Sequence, residues 1–82
     1  MFRIFAIDTE GNWVEENSPE QLAESCEFID IQNNEYVVID ENGILYEWNK
    51  SNKFRSGFLP TPTQRTNPEL IQKILRTTVA ND

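Results

Sequence analysis

The sequence predicts an α+β fold: a small antiparallel sheet of about five strands, in the element order β-β-α-β-β-β-α, with a C-terminal helix packed on one face. Three observations predict it. Residues 35–48 alternate around a turn and place apolar side chains on both faces, as in a hairpin at the middle of a covered sheet. The turn spacing Ile39-Asp40-x-x-Gly43 repeats an earlier one, Ile7-Asp8-x-x-Gly11. After Pro68 the apolar residues Leu70, Ile71, Ile74 and Leu75 recur at helical spacing. A small curled half-barrel carrying the same helix is the alternative architecture.

Residues 2–8 read as the first strand, with Phe5 and Ile7 on one face and Phe2, Ile4 and Ala6 on the other. Asp8 opens a turn because its carboxylate can accept a turn N–H, and Gly11 closes it in a left-handed conformation. The return strand, 12–16, then sets Trp13 opposite Ile7. Ser18-Pro19-Glu20-Gln21 is a helix start: Ser18 caps, Pro19 suits the first helical position, and Gln21 can complete a capping box. This helix runs to about Ser25 and turns Leu22, Ala23 and Cys26 inward. Residues 26–32 alternate, with Ile29 and Ile31 together, and read as a third strand, with Asn33-Asn34 as a tight turn.

The central hairpin follows. Val38 should face Tyr46 and Ile39 should face Leu45. One face then carries Tyr36, Val38, Ile44, Tyr46 and Trp48, and the other Val37, Ile39 and Leu45. Residues 49–67 read as a long irregular loop, since Pro60, Pro62 and Pro68 interrupt ladders and helices. The last helix starts at a cap, Thr66 or Asn67, and Pro68 and Glu69 suit its first turn.

At 82 residues the chain reads as one domain, 1–82, of modest stability. Its 38% apolar content includes nine aromatics, enough for a core and too much for a disordered chain. With one cysteine and no histidine, neither an internal disulfide nor a zinc site is expected, and no cofactor motif is present. The segment Met1 to Asp8 turns acidic too soon for a signal peptide, and no run reaches membrane-spanning length. A cytoplasmic location without membrane attachment is expected.

Charge is the unusual feature. Residues 1–47 hold twelve carboxylates and one base, Arg3, while residues 48–82 hold six bases and two acids. The halves carry −11 and +4, for a net −7. Glu15, Glu16, Glu20, Glu24 and Glu27 form the candidate partner-binding acidic face. Glu20, Glu24 and Glu27 follow i, i+4, i+7 spacing, an arrangement that like-charge repulsion makes unfavourable in a helix. The plainer reading is a solvated face that aids solubility. A second candidate surface comprises Arg55, Phe58, Leu59 and Arg65 in the proline-rich stretch, whose plainer reading is a stiff connection.

Other chemistry finds little support. Cys26 has no histidine to activate it and reads as a small core residue. The Asp8 and Asp40 turns lack the twelve-residue calcium pattern. Adjacent carboxylates such as Glu15 and Glu16 point to opposite faces of a strand and make no acid–base pair. Aromatics on the hairpin suit base stacking, but the acidic half repels a polyanion, so direct nucleic-acid binding is not expected. The expected function is therefore a non-enzymatic protein–protein interaction module, an inhibitor or accessory subunit that binds a basic protein. Two alternatives are a nucleic-acid mimic that occupies a DNA- or RNA-binding protein, and a small carboxylate-dependent enzyme. Self-association is compatible with the sequence.

Overall fold

In the computed structural model the described backbone covers residues 2–54 and 57–80, and the described side chains cover 2–51 and 57–77. The two Asp-x-x-Gly turns set the frame. Asp40 Oδ1 accepts the Asn42 and Ile44 N–H groups at 2.8 and 3.1 Å, and Gly43 takes φ +83°. Asp8 Oδ1 accepts the Glu10 and Asn12 N–H groups at 2.9 and 3.0 Å, with Gly11 at φ +86°. A left-handed residue at that place lets a three-residue loop follow the twist of its strands.

The strands are β1 (Ile4–Ile7), β2 (Trp13–Glu16), β3 (Val37–Asp40), β4 (Ile44–Phe54) and β5 (Gly57–Thr66), in one antiparallel sheet of order β2-β1-β3-β4-β5. The registers agree with the sequence: Ile7 faces Trp13, Val38 faces Tyr46 and Ile39 faces Leu45. Strand alternation splits the core into two clusters, one on each face. Ile4, Ala6, Val38 and Trp48 meet Leu22, Ala23, Cys26 and Ile31. On the other face Phe5 and Ile39 meet Ile71 and Ile74.

Helix α1 (Pro19–Ser25) begins where its cap predicts, with Ser18 Oγ accepting the Gln21 N–H at 3.1 Å. Helix α3 (Pro68–Ala80) is capped by Asn67 Oδ1, which accepts the Leu70 N–H at 3.1 Å. The Asn67 N–H donates to the Gly43 carbonyl at 2.8 Å, so the central turn also positions the start of α3.

Two expectations are corrected. Residues 28–32 form a helix, α2 (Phe28–Gln32), not a strand. Its end is a Schellman closure: the Glu35 N–H reaches the Asp30 carbonyl at 3.0 Å, the Asn34 N–H reaches the Ile31 carbonyl at 3.1 Å, and Asn34 adopts φ +57°. The two asparagines thus stop a helix rather than join two strands.

The second correction concerns 49–67. Most of that stretch belongs to the long β4–β5 hairpin and not to an irregular loop. The five strands therefore include 57–66 and exclude 26–32. Pro60 and Pro62 are tolerated because β5 is an edge strand. Two residues apart, their nitrogens point the same way, to the side where no ladder bond is made. Register shifts between Ile44 and Tyr46 and between Asn49 and Lys53 bend this hairpin. Helix α1 touches β2, β1 and β5, so the sheet curls until both edges meet one helix. A Cβ at Gly57 would lie 3.4 Å from the Ala23 carbonyl oxygen, which shows how closely β5 crosses α1.

Candidate functional site: the acidic helical layer

Helices α1 and α2 cover one face of the sheet, and the segment 16–35 that forms them holds six carboxylates and no base. Glu20 and Glu24 lie one turn apart on α1, both exposed. Glu27 is exposed too, but it follows the end of α1 and sits at the N-cap of α2 without a side-chain cap bond. The i, i+4, i+7 stripe is therefore broken after its second member. Glu16 borders the layer at the end of β2, where its carboxylate accepts the Ser25 hydroxyl at 2.6 Å. Asp30 and Glu35 add to the same segment and are half-buried.

Glu15 does not join them. It pairs with Phe5 across β1–β2 and so lies on the α3 side of the sheet. Its carboxylate receives Arg3 Nε and Nη2 at 2.8 and 3.0 Å. Those hydrogen bonds hold the Glu15 carboxyl below the usual carboxylate range and raise Arg3. The Arg3 guanidinium also lies 5.3 Å from the Phe5 ring centroid.

Lys50 reaches the layer from β4. Its ammonium donates to Asn34 Oδ1 at 2.7 Å and to the Gln32 carbonyl at 3.3 Å, at the negative end of α2. That places a cation against backbone carbonyl rather than among the glutamates.

The proline-rich candidates are not brought to one surface. Phe58 stacks on Phe28 with centroids 5.2 Å apart and packs against the α1–α2 core. Leu59, the next strand residue, points to the other face. Arg65 is exposed near the end of β5, and Arg55 lies outside the described residues. The strand reading of 26–32 puts Ile29 and Ile31 on one face. The helical period instead buries Ile31 and leaves Ile29 61% exposed in the acidic layer. A count of i, i+3 spacing from Phe28 to Ile31 is the sequence signal that separates the two residues.

Buried chemistry serves structure. Asp40 is 2% exposed, and its second carboxylate oxygen accepts the Tyr46 hydroxyl at 3.0 Å. Burial, and then this bond, push Tyr46 up to about 12. Cys26 is buried. Burial, with help from the Glu16 and Asp30 charges, pushes its thiol up to about 12, so it stays protonated at neutral pH. Among the described residues no group of three or more Cys, Asp or Glu side chains is arranged to hold a metal ion, and no helix is long and apolar enough to cross a membrane.

Comparison with protein-family models, curated proteins and solved structures finds no match.

Proposed function

We propose that this chain is a non-enzymatic interaction protein of the cytoplasm that binds a basic protein partner through its α1–α2 layer, as an inhibitor or accessory subunit. One observation carries this reading. The segment 16–35 brings six carboxylates and no base of its own to the layer over one sheet face; Lys50 of β4 reaches that layer but is held by Asn34 Oδ1 and the Gln32 carbonyl, while the bases Lys73 and Arg76 lie on α3 across the sheet. A predominantly acidic face speeds encounter with a basic partner and orients it. Exposed Ile29 adds an apolar contact within the layer, of the kind that can anchor a charged interface.

The test has two stages. Affinity capture from lysate, with and without nuclease, identifies the partner, and recovery of a nucleic-acid-handling enzyme would make mimicry of a polyanion the specific form of the activity. Association rates are then measured across a salt series for the wild type and for Glu20, Glu24 and Glu27 all replaced by Gln. The charge reading expects slower association and a flatter salt dependence in the triple variant. Equal rates and equal slopes would reduce the layer to a solvated face.

A further inference from the structure

On the opposite face, α3 and the first hairpin enclose a cleft of about 140 Å³. Ile7 and Trp13, paired across β1–β2, form one wall, and Leu70 and Ile74, one turn apart on α3, form the other. Lys73 and Thr77 are the polar side chains at its edge. Lys73 is exposed, and among the described residues its ammonium has no ion-pair partner. Asp8 Oδ1 accepts the Glu10 and Asn12 N–H groups of its turn, and Asp8, Glu10, Glu69 and Arg76 all lie outside the cleft lining. A larger hollow beside it, of about 610 Å³, has its described lining on α3 and on the capping residue Asn67, so no second helix or strand shapes it.

We propose that the cleft binds a small carboxylate with an aromatic or branched aliphatic body. Size sets the body: a cavity of about 150 Å³ lined by aliphatic and aromatic side chains accepts a benzene-sized group. The Trp13 ring offers such a group a broad apolar surface. Charge sets the head, because the cation in the lining is a lysine at the edge, where a carboxylate can stay hydrated while it meets the ammonium. The site lies across the sheet from the acidic layer, so it does not depend on the function proposed above.

Phenylacetate is the probe. The chain has two tryptophans, Trp13 in the cleft and Trp48 buried in the other cluster. Their indole N–H signals in a nitrogen-15-labelled sample therefore report on the two faces separately. The expected result is a saturable shift of the Trp13 signal with a dissociation constant on the order of millimolar, as suits so small a ligand, while Trp48 stays still. Lys73→Gln, an exposed change that spares the core, should weaken binding roughly two- to fivefold. Benzyl alcohol, which lacks the charge, should bind more weakly than phenylacetate by a similar factor. The proposal fails if the Trp13 shift does not saturate, or if both indoles shift alike. It also fails if benzyl alcohol binds as tightly as phenylacetate, or if Lys73→Gln changes nothing.

Discussion

Gly43 and Gly11 occupy the same place in two turns of the same chemistry, at φ +83° and +86°, and this makes them a matched pair. A valine at either must adopt a left-handed backbone, at a cost of about 1–3 kcal/mol. Their surroundings differ. A Cβ at Gly11 meets nothing within 4 Å. A Cβ at Gly43 lies 3.4 Å from both Ile71 Cγ2 and Pro68 Cα, against the first turn of α3. That distance is ordinary contact for a single methyl, so Gly43→Ala and Gly11→Ala should lose similar stability. The γ-methyls of valine have no such room, and overpacking a filled site costs roughly a further 1–3 kcal/mol. Gly43→Val should therefore lose about that much more than Gly11→Val. Urea unfolding followed by tryptophan fluorescence measures it, and with an m value near 1 kcal/mol/M the two midpoints should differ by roughly 1 M or more. At about 0.05–0.15 kcal/mol per residue the 82-residue chain has only about 4–12 kcal/mol to lose. If Gly43→Val does not fold at all while Gly11→Val does, the ordering still holds. Equal losses in the two valine variants would refute the seating of α3 on the central turn.

Further expectations follow from the two cores and from the charges. Ile74 is 3% exposed against Phe5 and Ile39, so Ile74→Ala should cost about 2–5 kcal/mol in urea or thermal unfolding; a loss near zero would place α3 away from the sheet. Cys26 and Tyr46 both have pKa values raised to about 12, from 9.0 and 10.0, so the folded state holds these protons longer than the unfolded one. Their contribution is present below pH 9 and is lost as pH rises from 9 towards 12. Cys26→Ala should flatten the lower part of that decline, and an unchanged pH profile would contradict the burial of the thiol. Native Cys26 should also resist iodoacetamide at neutral pH until the chain is unfolded in urea. Replacing Glu20, Glu24 and Glu27 by Gln should leave the melting temperature unchanged or slightly higher, because like charges one turn apart on α1 repel; a clear drop would mean those carboxylates hold the fold.

Local physics decided much of this structure before any tertiary contact. An aspartate and a glycine three residues apart specify both turns, because one supplies the acceptor and the other the left-handed backbone. The turns in turn fix the registers Ile7–Trp13 and Val38–Tyr46, and alternation then fixes which side chains share a face. Ser18-Pro19 and Asn67-Pro68 mark helix starts for equally local reasons. Residues 28–32 were different. Ile29 and Ile31 fit a strand, Phe28 and Ile31 fit a helix, and five residues are too few for periodicity to choose. The choice came from elsewhere in the chain, since Phe58 on β5 supplies the surface on which Phe28 packs. Residues 57–66 depended on position in the same way: prolines exclude a central strand, but at an edge their missing N–H costs no ladder bond. The count of charges was in the sequence, yet their separation was not. Pairing β1 with β3 puts the segment 16–35 on one face and α3 on the other, and the alternation of β2 sends Glu15 to Arg3 while Glu16 stays with α1. A linear charge count sums over both faces of a strand, and only the folded sheet assigns each carboxylate to one of them.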